Sequence, residues 1–372
     1  MSDAVTSDPI RPADGADDVE AVILVGGKGT RLRPLTLSAA KPMLPTAGAP
    51  FLEHLLSRVR AAGIRRVVLG TSYRAETFSG YFGDGSRFGL EIDYVIEDSP
   101  LGTGGAIRNV LDRVSAPTVM IFNGDILSGV DLTGMIDFHR RQQADVTLHL
   151  TKVDDPSAFG SVPTDPDGRV QAFLEKTENP PTDQINAGCY LFQRTVIESI
   201  PAGRVVSVER ETFPGLLAGD ARVYGYVDSS YWLDLGTPAA FVQGSADLVR
   251  GIAPTSALPA PAGDVLTLPG AVVAPTATLT GGTALGRDVS VGDDAAVAGS
   301  VVFDGAVIEA GATVTRSVIG ARARIGAGAV VADAVIGDDA VVGPRCELLG
   351  GIRVWPGVEL PEAGVRFSSD AS

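Results

Sequence analysis

The sequence predicts an α/β domain on a mostly parallel sheet, followed by a parallel β-helix. From Val22 to about Leu248, short β-rich apolar runs alternate with amphipathic segments, which is the pattern of a parallel sheet covered on both faces. Between Gly251 and Ala262 the chain thins to Ala, Pro and Ser, marking a boundary. Beyond it Leu285, Val302, Ile319 and Ile336 recur 17 residues apart.

At 372 residues the chain exceeds one ordinary core. A hydrophobic content of 45% with 20% charged residues describes a soluble globular protein. The formal charge of −15 excludes a nucleic-acid partner, whose phosphates need net positive surface. Residues 1–20 form an acidic arm expected to be disordered, without the basic start and apolar centre of a signal peptide. No apolar run reaches the roughly 18 to 20 residues that span a bilayer, so no membrane is expected and the location is cytoplasmic. Cys189 and Cys346 have no metal-ligand spacing and read as reduced structural thiols. The expected divisions are the arm, a catalytic domain over 21–250, a linker over 251–264, the β-helix over 265–360 and a flexible tail over 361–372.

The first strand precedes the most informative segment. Val22, Ile23, Leu24 and Val25 run into Gly26-Gly27-Lys28-Gly29-Thr30-Arg31-Leu32-Arg33-Pro34-Leu35-Thr36, with Lys41-Pro42 five residues on. Glycines let backbone amides approach an anion, while Lys28, Arg31 and Lys41 add positive charge. A nucleoside triphosphate is the natural ligand. The P-loop pattern fails because Lys28 is followed by Gly29, and the dinucleotide fingerprint fails at Leu32.

Further strands are expected at Val67–Gly70, Ile92–Ile96, Val119–Phe122, Val146–Leu150 and Tyr190–Phe192. A helix is expected over Pro50–Ala62, where Phe51, Leu52, Leu55, Leu56 and Val59 share one face and Gly63 is the stop. Ligands of such sheets bind beyond the carboxyl ends of the strands, where the loop after Val25 falls. Asp125 ends the apolar run Ile121-Phe122-Asn123-Gly124, as a metal ligand at a sheet edge would. In the tail, twelve aliphatics from Leu285 to Leu348 follow two six-residue steps and one shortened step, describing a three-faced coil. Gly286, Gly292, Gly320, Gly326, Gly337 and Gly343 each follow one of them and are expected to let the chain turn the corner.

The tail resembles the hexapeptide repeat of left-handed parallel β-helices. The segment Gly27-Lys28-Gly29-Thr30-Arg31-Leu32-Arg33-Pro34-Leu35-Thr36 with Lys41-Pro42 resembles the signature loop of sugar-1-phosphate nucleotidyltransferases. Together they make the chain, from about residue 21 to 355, similar to members of that family that carry a β-helix tail, and most similar to its mannose-1-phosphate guanylyltransferase branch. The resemblance implies a Rossmann-like nucleotidyltransferase domain that moves a nucleotidyl group from GTP to α-D-mannose 1-phosphate. It implies a nucleotide site at Leu24, Gly26, Gly27, Gly29, Thr30, Arg31, Leu101, Gly102, Thr103 and Asp125. The sugar-phosphate site falls at Gly160, Glu175, Lys176, Asn186, Gly188 and Glu209.

Arg31, Lys41 and Lys176 take catalytic roles by the same resemblance, and Asp125 and Asp234 the metal. Two carboxylates completed by phosphate oxygens and water suit Mg²⁺, and a Glu-Lys pair suits sugar hydroxyls and a phosphate. Backbone groups at Leu101 and Gly102 are candidates for reading a purine edge, with turn formation the alternative for Gly102 and Gly104. Many relatives carry a second Lys-Pro, but here Ala49 precedes Pro50. The rival readings are glucose-1-phosphate with dTTP, UTP or ATP, a scaffolding relative, and an acyltransferase, which the lack of histidine after His149 disfavours. The β-helix implies a homo-oligomer.

Overall fold

The computed structural model describes residues 16–72, 74–258 and 263–366. Most of the expected acidic arm therefore lies outside the described residues. Strand β1 (Val19–Leu24) is buried along its length, and Ala16 before it packs into the core. The strands that follow are β2 (Arg66–Thr71), β3 (Glu91–Ile96), β4 (Thr118–Asn123), β5 (Ile126–Ser128), β6 (Val146–Lys152), β7 (Gln184–Gln193), β8 (Val223–Val227) and β9 (Trp232–Asp234). Seven of them form one sheet in the order β8-β6-β7-β4-β1-β2-β3. Only β7 runs against its neighbours, β4 and β6; the other pairings are parallel.

Helices cover both faces, as the alternating pattern requires. They include α1 (Phe51–Ala61), α2 (Gly102–Asn109), α3 (Leu132–Arg141) and α4 (Pro238–Val249). The apolar stripe of α1 buries Leu52, Leu55, Leu56 and Val59 against Ile23, Val67 and Met120 of the sheet. On the other face Ile107 of α2 packs with Val22, Val68 and Ile121. The segment after α4 is tied down. His54 Nε2 donates to the Thr46 carbonyl at 2.8 Å, because a carbonyl can only accept, and Nδ1 therefore accepts from the Thr255 hydroxyl at 2.8 Å.

Beyond residue 263 the chain winds into a left-handed β-helix of three parallel sheets with six, six and five strands. Leu285, Val302 and Ile319 stack in register on one face, Val291, Ile308 and Ile325 on the second, and Val297, Val314 and Val331 on the third. All twelve predicted aliphatics lie in one buried core. The coils at both ends are one residue longer, since Thr267 pairs with Leu285 and Ile336 with Val354. In each case a Gly-Gly pair in the left-handed region, Gly281-Gly282 or Gly350-Gly351, takes up the extra residue at the corner.

The six glycines that follow inward aliphatics serve a different purpose from the one expected. None has a positive φ. A Cβ at Gly320 would meet Asp338 N at 2.6 Å, and one at Gly326 would meet Pro344 N at 2.5 Å, both on the next coil. Close approach of coils, not turning, selects glycine there.

The outer side of the first β-helix sheet packs on the catalytic domain. Val301, Phe303, Val318 and Val335 meet Leu32, Leu35 and Leu44, together with Phe241 and Val242 of α4. Burying each such side chain contributes about 1.5–3 kcal/mol relative to exposure. Arg353 Nη1 adds a hydrogen bond to the Arg33 carbonyl at 2.7 Å. The glycine-rich loop thus has the β-helix as its rear wall.

Candidate active site

A cavity of about 390 Å³ opens at the carboxyl end of β1, lined by Leu24, Gly26, Gly27, Gly29, Thr30 and Arg31. Lys41, Pro42, Thr103, Asn123, Gly124 and Asp125 complete most of its wall. The loop is shaped by its own polar groups. Thr36 Oγ1 donates to the Gly29 carbonyl at 2.9 Å, and Gly29 sits at φ 56° as the entry to the short Thr30–Leu32 turn. A Cβ at Gly29 would meet Thr36 Cγ2 at 2.9 Å and Lys41 Cβ at 3.2 Å. Lys28 is exposed and outside the cavity lining.

The two aspartates converge because β5 and β9 form an antiparallel pair in which Asp234 faces Ile126. Leu235 N also donates to the Asp125 carbonyl at 3.1 Å. Lys41 Nζ lies 2.7 Å from Asp125 Oδ2 and 4.0 Å from Asp234 Oδ1. Asp234 Oδ1 is buried without a hydrogen-bond donor. Burial, and then the Asp125 charge, push the Asp234 carboxyl above the usual carboxylate range, against the pull of Lys41 and Arg31. A buried, donorless carboxylate oxygen beside a second carboxylate fits a divalent cation. Gly236 explains how Arg31 reaches this group. A Cβ there would fall 2.5 Å from Arg31 Nη2 and 2.9 Å from Asp234 Oδ1, so the guanidinium lies across bare backbone.

The residues expected to hold the sugar phosphate form a second cluster, apart from Glu209 and the Lys176 side chain. Asn186 N donates to the Gly160 carbonyl at 2.8 Å, and Glu175 Oε2 is 3.2 Å from where a Gly160 Cβ would stand. Gly188 N donates to Asn186 Oδ1 at 3.1 Å. At Gly188, φ is 74° and a Cβ would meet Ile126 Cδ1 at 2.3 Å and Asn123 Nδ2 at 2.8 Å. The cluster therefore joins the cavity at Asn123. Lys176 is exposed and makes no hydrogen bond or ion pair among the described residues.

Of the Leu101–Thr103 loop, only Thr103 lines the cavity. The Leu101 carbonyl accepts from Val206 N at 2.9 Å, and the amides of Gly104 and Gly105 donate to the Val206 carbonyl at 2.9 and 3.3 Å. Glu209 stands in a π-helical turn, Val208–Thr212, rather than in the Gly160–Glu175–Asn186 cluster.

Sequence reasoning missed three contributors. Asn123 stands between the two clusters, Gly236 seats Arg31, and Trp232 packs beside the second cluster by donating from Nε1 to the Ala187 carbonyl at 3.0 Å and meeting the Phe159 ring edge-on at 5.4 Å. All three stand within motifs singled out for their aspartates. No pattern of spacing distinguishes them.

The family model described as nucleotidyl transferase matches residues 20–251. The chain belongs to the nucleotidyl transferase family. Residues 262–365 match a second model, the GMPPB C-terminal domain. This nucleotidyl transferase is 63% identical to the mannose-1-phosphate guanylyltransferase of Mycobacterium tuberculosis over 95% of this chain and 98% of that protein. It is 34% identical to mannose-1-phosphate guanylyltransferase 1 of Arabidopsis thaliana over 73% and 76% of the two chains. Among solved structures it resembles HddC from Yersinia pseudotuberculosis complexed with GMP-PN, with a TM-score of 0.54 and 30% identity, covering 61% of this chain and 97% of that one.

Proposed function

We propose that this nucleotidyl transferase moves GMP from GTP to α-D-mannose 1-phosphate, giving GDP-mannose and pyrophosphate. The observation that carries the reading is the meeting of Arg31, Lys41, Asp125 and Asp234 at one mouth, joined through Asn123 to the polar cluster of Gly160, Glu175, Asn186 and Gly188. The likeness to mannose-1-phosphate guanylyltransferases supports the substrate pair.

An oxygen of the sugar phosphate attacks the α-phosphorus of GTP, one oxygen–phosphorus bond forms, and the bond to the pyrophosphate bridging oxygen breaks. The attacking phosphate is already ionised at neutral pH and needs no general base. The protein's task is to hold two polyanions in line and offset their repulsion. Arg31, seated over Gly236, binds the triphosphate and stabilises charge building on the leaving pyrophosphate. Lys41 reaches the same phosphates from its place beside Asp125. Glu175 and Asn186 accept and donate hydrogen bonds to the sugar hydroxyls, with Gly160 and Gly188 giving backbone access, while Lys176 steers the attacking phosphate. Asp125 and Asp234 would hold Mg²⁺, which when bound neutralises α-phosphate charge.

The protein works in the cytoplasm as a homo-oligomer joined through the β-helix. Exposed Trp355 and Val358 on the last coil support that contact. No helix among the described residues is long and apolar enough to cross a membrane.

The test is pyrophosphate release with Mg²⁺, pairing each of GTP, ATP, UTP, CTP and dTTP with mannose-1-phosphate and with glucose-1-phosphate. Turnover with GTP and mannose-1-phosphate alone is expected. Preference for another pair would overturn the specificity, and no turnover with any pair would overturn the reaction.

A further inference from the structure

The purine-side loop is fastened to the segment around residue 208 by a polar latch. Thr103 Oγ1 donates to Glu209 Oε2 at 2.8 Å, and Ser207 Oγ donates to the same oxygen at 2.8 Å. The Thr103 hydroxyl also accepts from Val208 N at 2.9 Å. A hydroxyl has one proton to give. That of Thr103 is committed to Glu209, so Thr103, although it lines the nucleotide cavity, is occupied as a holder rather than as a donor to nucleotide.

The turn that carries Glu209 runs into Phe213, whose ring lies 5.3 Å from that of fully buried Tyr190. The Tyr190 hydroxyl in turn accepts from Asn186 Nδ2 at 2.8 Å, which fixes the orientation of an amide whose Oδ1 accepts from Gly188 N. Thr103, Glu209, the turn ending at Phe213, Tyr190 and Asn186 thus form a chain of contacts from the nucleotide cavity to the sugar cluster. Main-chain bonds between Val206 and Leu101, and between Gly104 and Val206, make the two segments move together.

We propose that Thr103 and Glu209 are positioning residues that couple the two substrate subsites, so that docking of nucleotide against Thr103 sets the sugar pocket through Glu209, Phe213, Tyr190 and Asn186. The inference rests on the assignment of the two subsites given above. Coupling of this kind is reciprocal: a break at Thr103 must weaken sugar-phosphate binding, and a break at Glu209 must weaken nucleotide binding.

The experiment measures KM for both substrates in wild type, Thr103→Val, Thr103→Ser, Glu209→Ala and the Thr103→Val/Glu209→Ala double variant, after thermal melting has shown each folded. Thr103→Val is expected to raise KM for the sugar phosphate about tenfold, and Thr103→Ser to stay within about twofold of wild type, because serine keeps the hydroxyl. Glu209→Ala, which removes the acceptor, should raise KM for the nucleotide, and the double variant should be no worse than the worse single. If Thr103→Val fails to fold, the nucleotide KM of Glu209→Ala carries the test alone. A Thr103→Val effect confined to the nucleotide, or additive effects in the double variant, would overturn the latch. Ratios to wild type are taken with whichever substrate pair wild type turns over. Silence from wild type refutes the subsite assignment, whereas active wild type with unmoved ratios refutes the latch alone.

Discussion

The β-helix and the sheet domain use the same residue types to different ends. In the β-helix every buried aliphatic stacks on its own kind one coil away, as Val302 does on Ile319, and glycine is required where coils approach, as at Gly320. Charges pair across corners, Arg316 with Asp333 and Arg322 with Asp339, all exposed. At the mouth of the sheet, unlike residues from distant segments meet: Lys41, Asp125 and Asp234 share one cluster, and glycine at 236 makes room for an arginine. Repetition builds a wall in which, among the described residues, no buried side-chain nitrogen or oxygen is left unpartnered. Convergence leaves the buried Asp234 oxygen without a donor, the imbalance that the proposed cation and polyphosphate would relieve.

Substitutions at the point of convergence should have the largest effects. Asp125→Asn is expected to lower kcat at least about 10²-fold with the melting temperature maintained, the scale for removing one transition-state charge partner. A loss below tenfold would place the convergence elsewhere. Gly236→Ala tests the seat of Arg31: its methyl would fall 2.5 Å from Nη2, and displacement of the guanidinium should cost about tenfold or more in kcat. Steady-state kinetics that match wild type would remove Gly236 from the site.

The wall is tested by pairing deletions on its two sides. Ile325→Ala, which empties an inward position, should cost about 2–5 kcal/mol in denaturant unfolding while leaving kcat unchanged. Val318→Ala, which faces Leu32 and Leu35, should cost less stability yet raise KM for the nucleotide. Equal kinetics in both variants would mean that the wall does not support the loop.

The smallest effect separates the regions by pH. Burial holds His54, His139 and His149 down to about 4, from 6.5, and all three stand in the sheet domain. The unfolded chain binds these protons first, so stability is complete above pH 6.5 and falls as pH drops from 6.5 toward about 4. Fluorescence of Trp355→Phe, which leaves Trp232 to report the sheet domain, should show unfolding easing over that window. Trp232→Phe, which leaves Trp355 to report the β-helix, should show a weaker dependence, and equal slopes would contradict the difference.

The β-helix was legible because its neighbours are a fixed distance apart in sequence, so one period places Leu285 through Leu348. It ceased to be legible at the Gly-Gly corners, where one added residue breaks the period. Strands and α1 announced themselves by apolar pattern, within a residue or two for β2, β3, β4 and α1, whereas β7 starts six residues before its predicted core. The site was legible only where a motif carried it. Neither the use of the Leu101 carbonyl by Val206 nor the bond between Thr103 and Glu209 could be seen, because each joins residues about a hundred positions apart with no shared pattern.

The most direct measurement is a single-turnover rapid-quench assay of Arg31→Ala beside wild type, with GTP, mannose-1-phosphate and Mg²⁺. The account predicts a chemical step slowed at least about 10²-fold in a folded variant that still binds nucleotide. A slowing of less than tenfold would contradict the claim that the arginine seated over Gly236 carries the charge of the transition state.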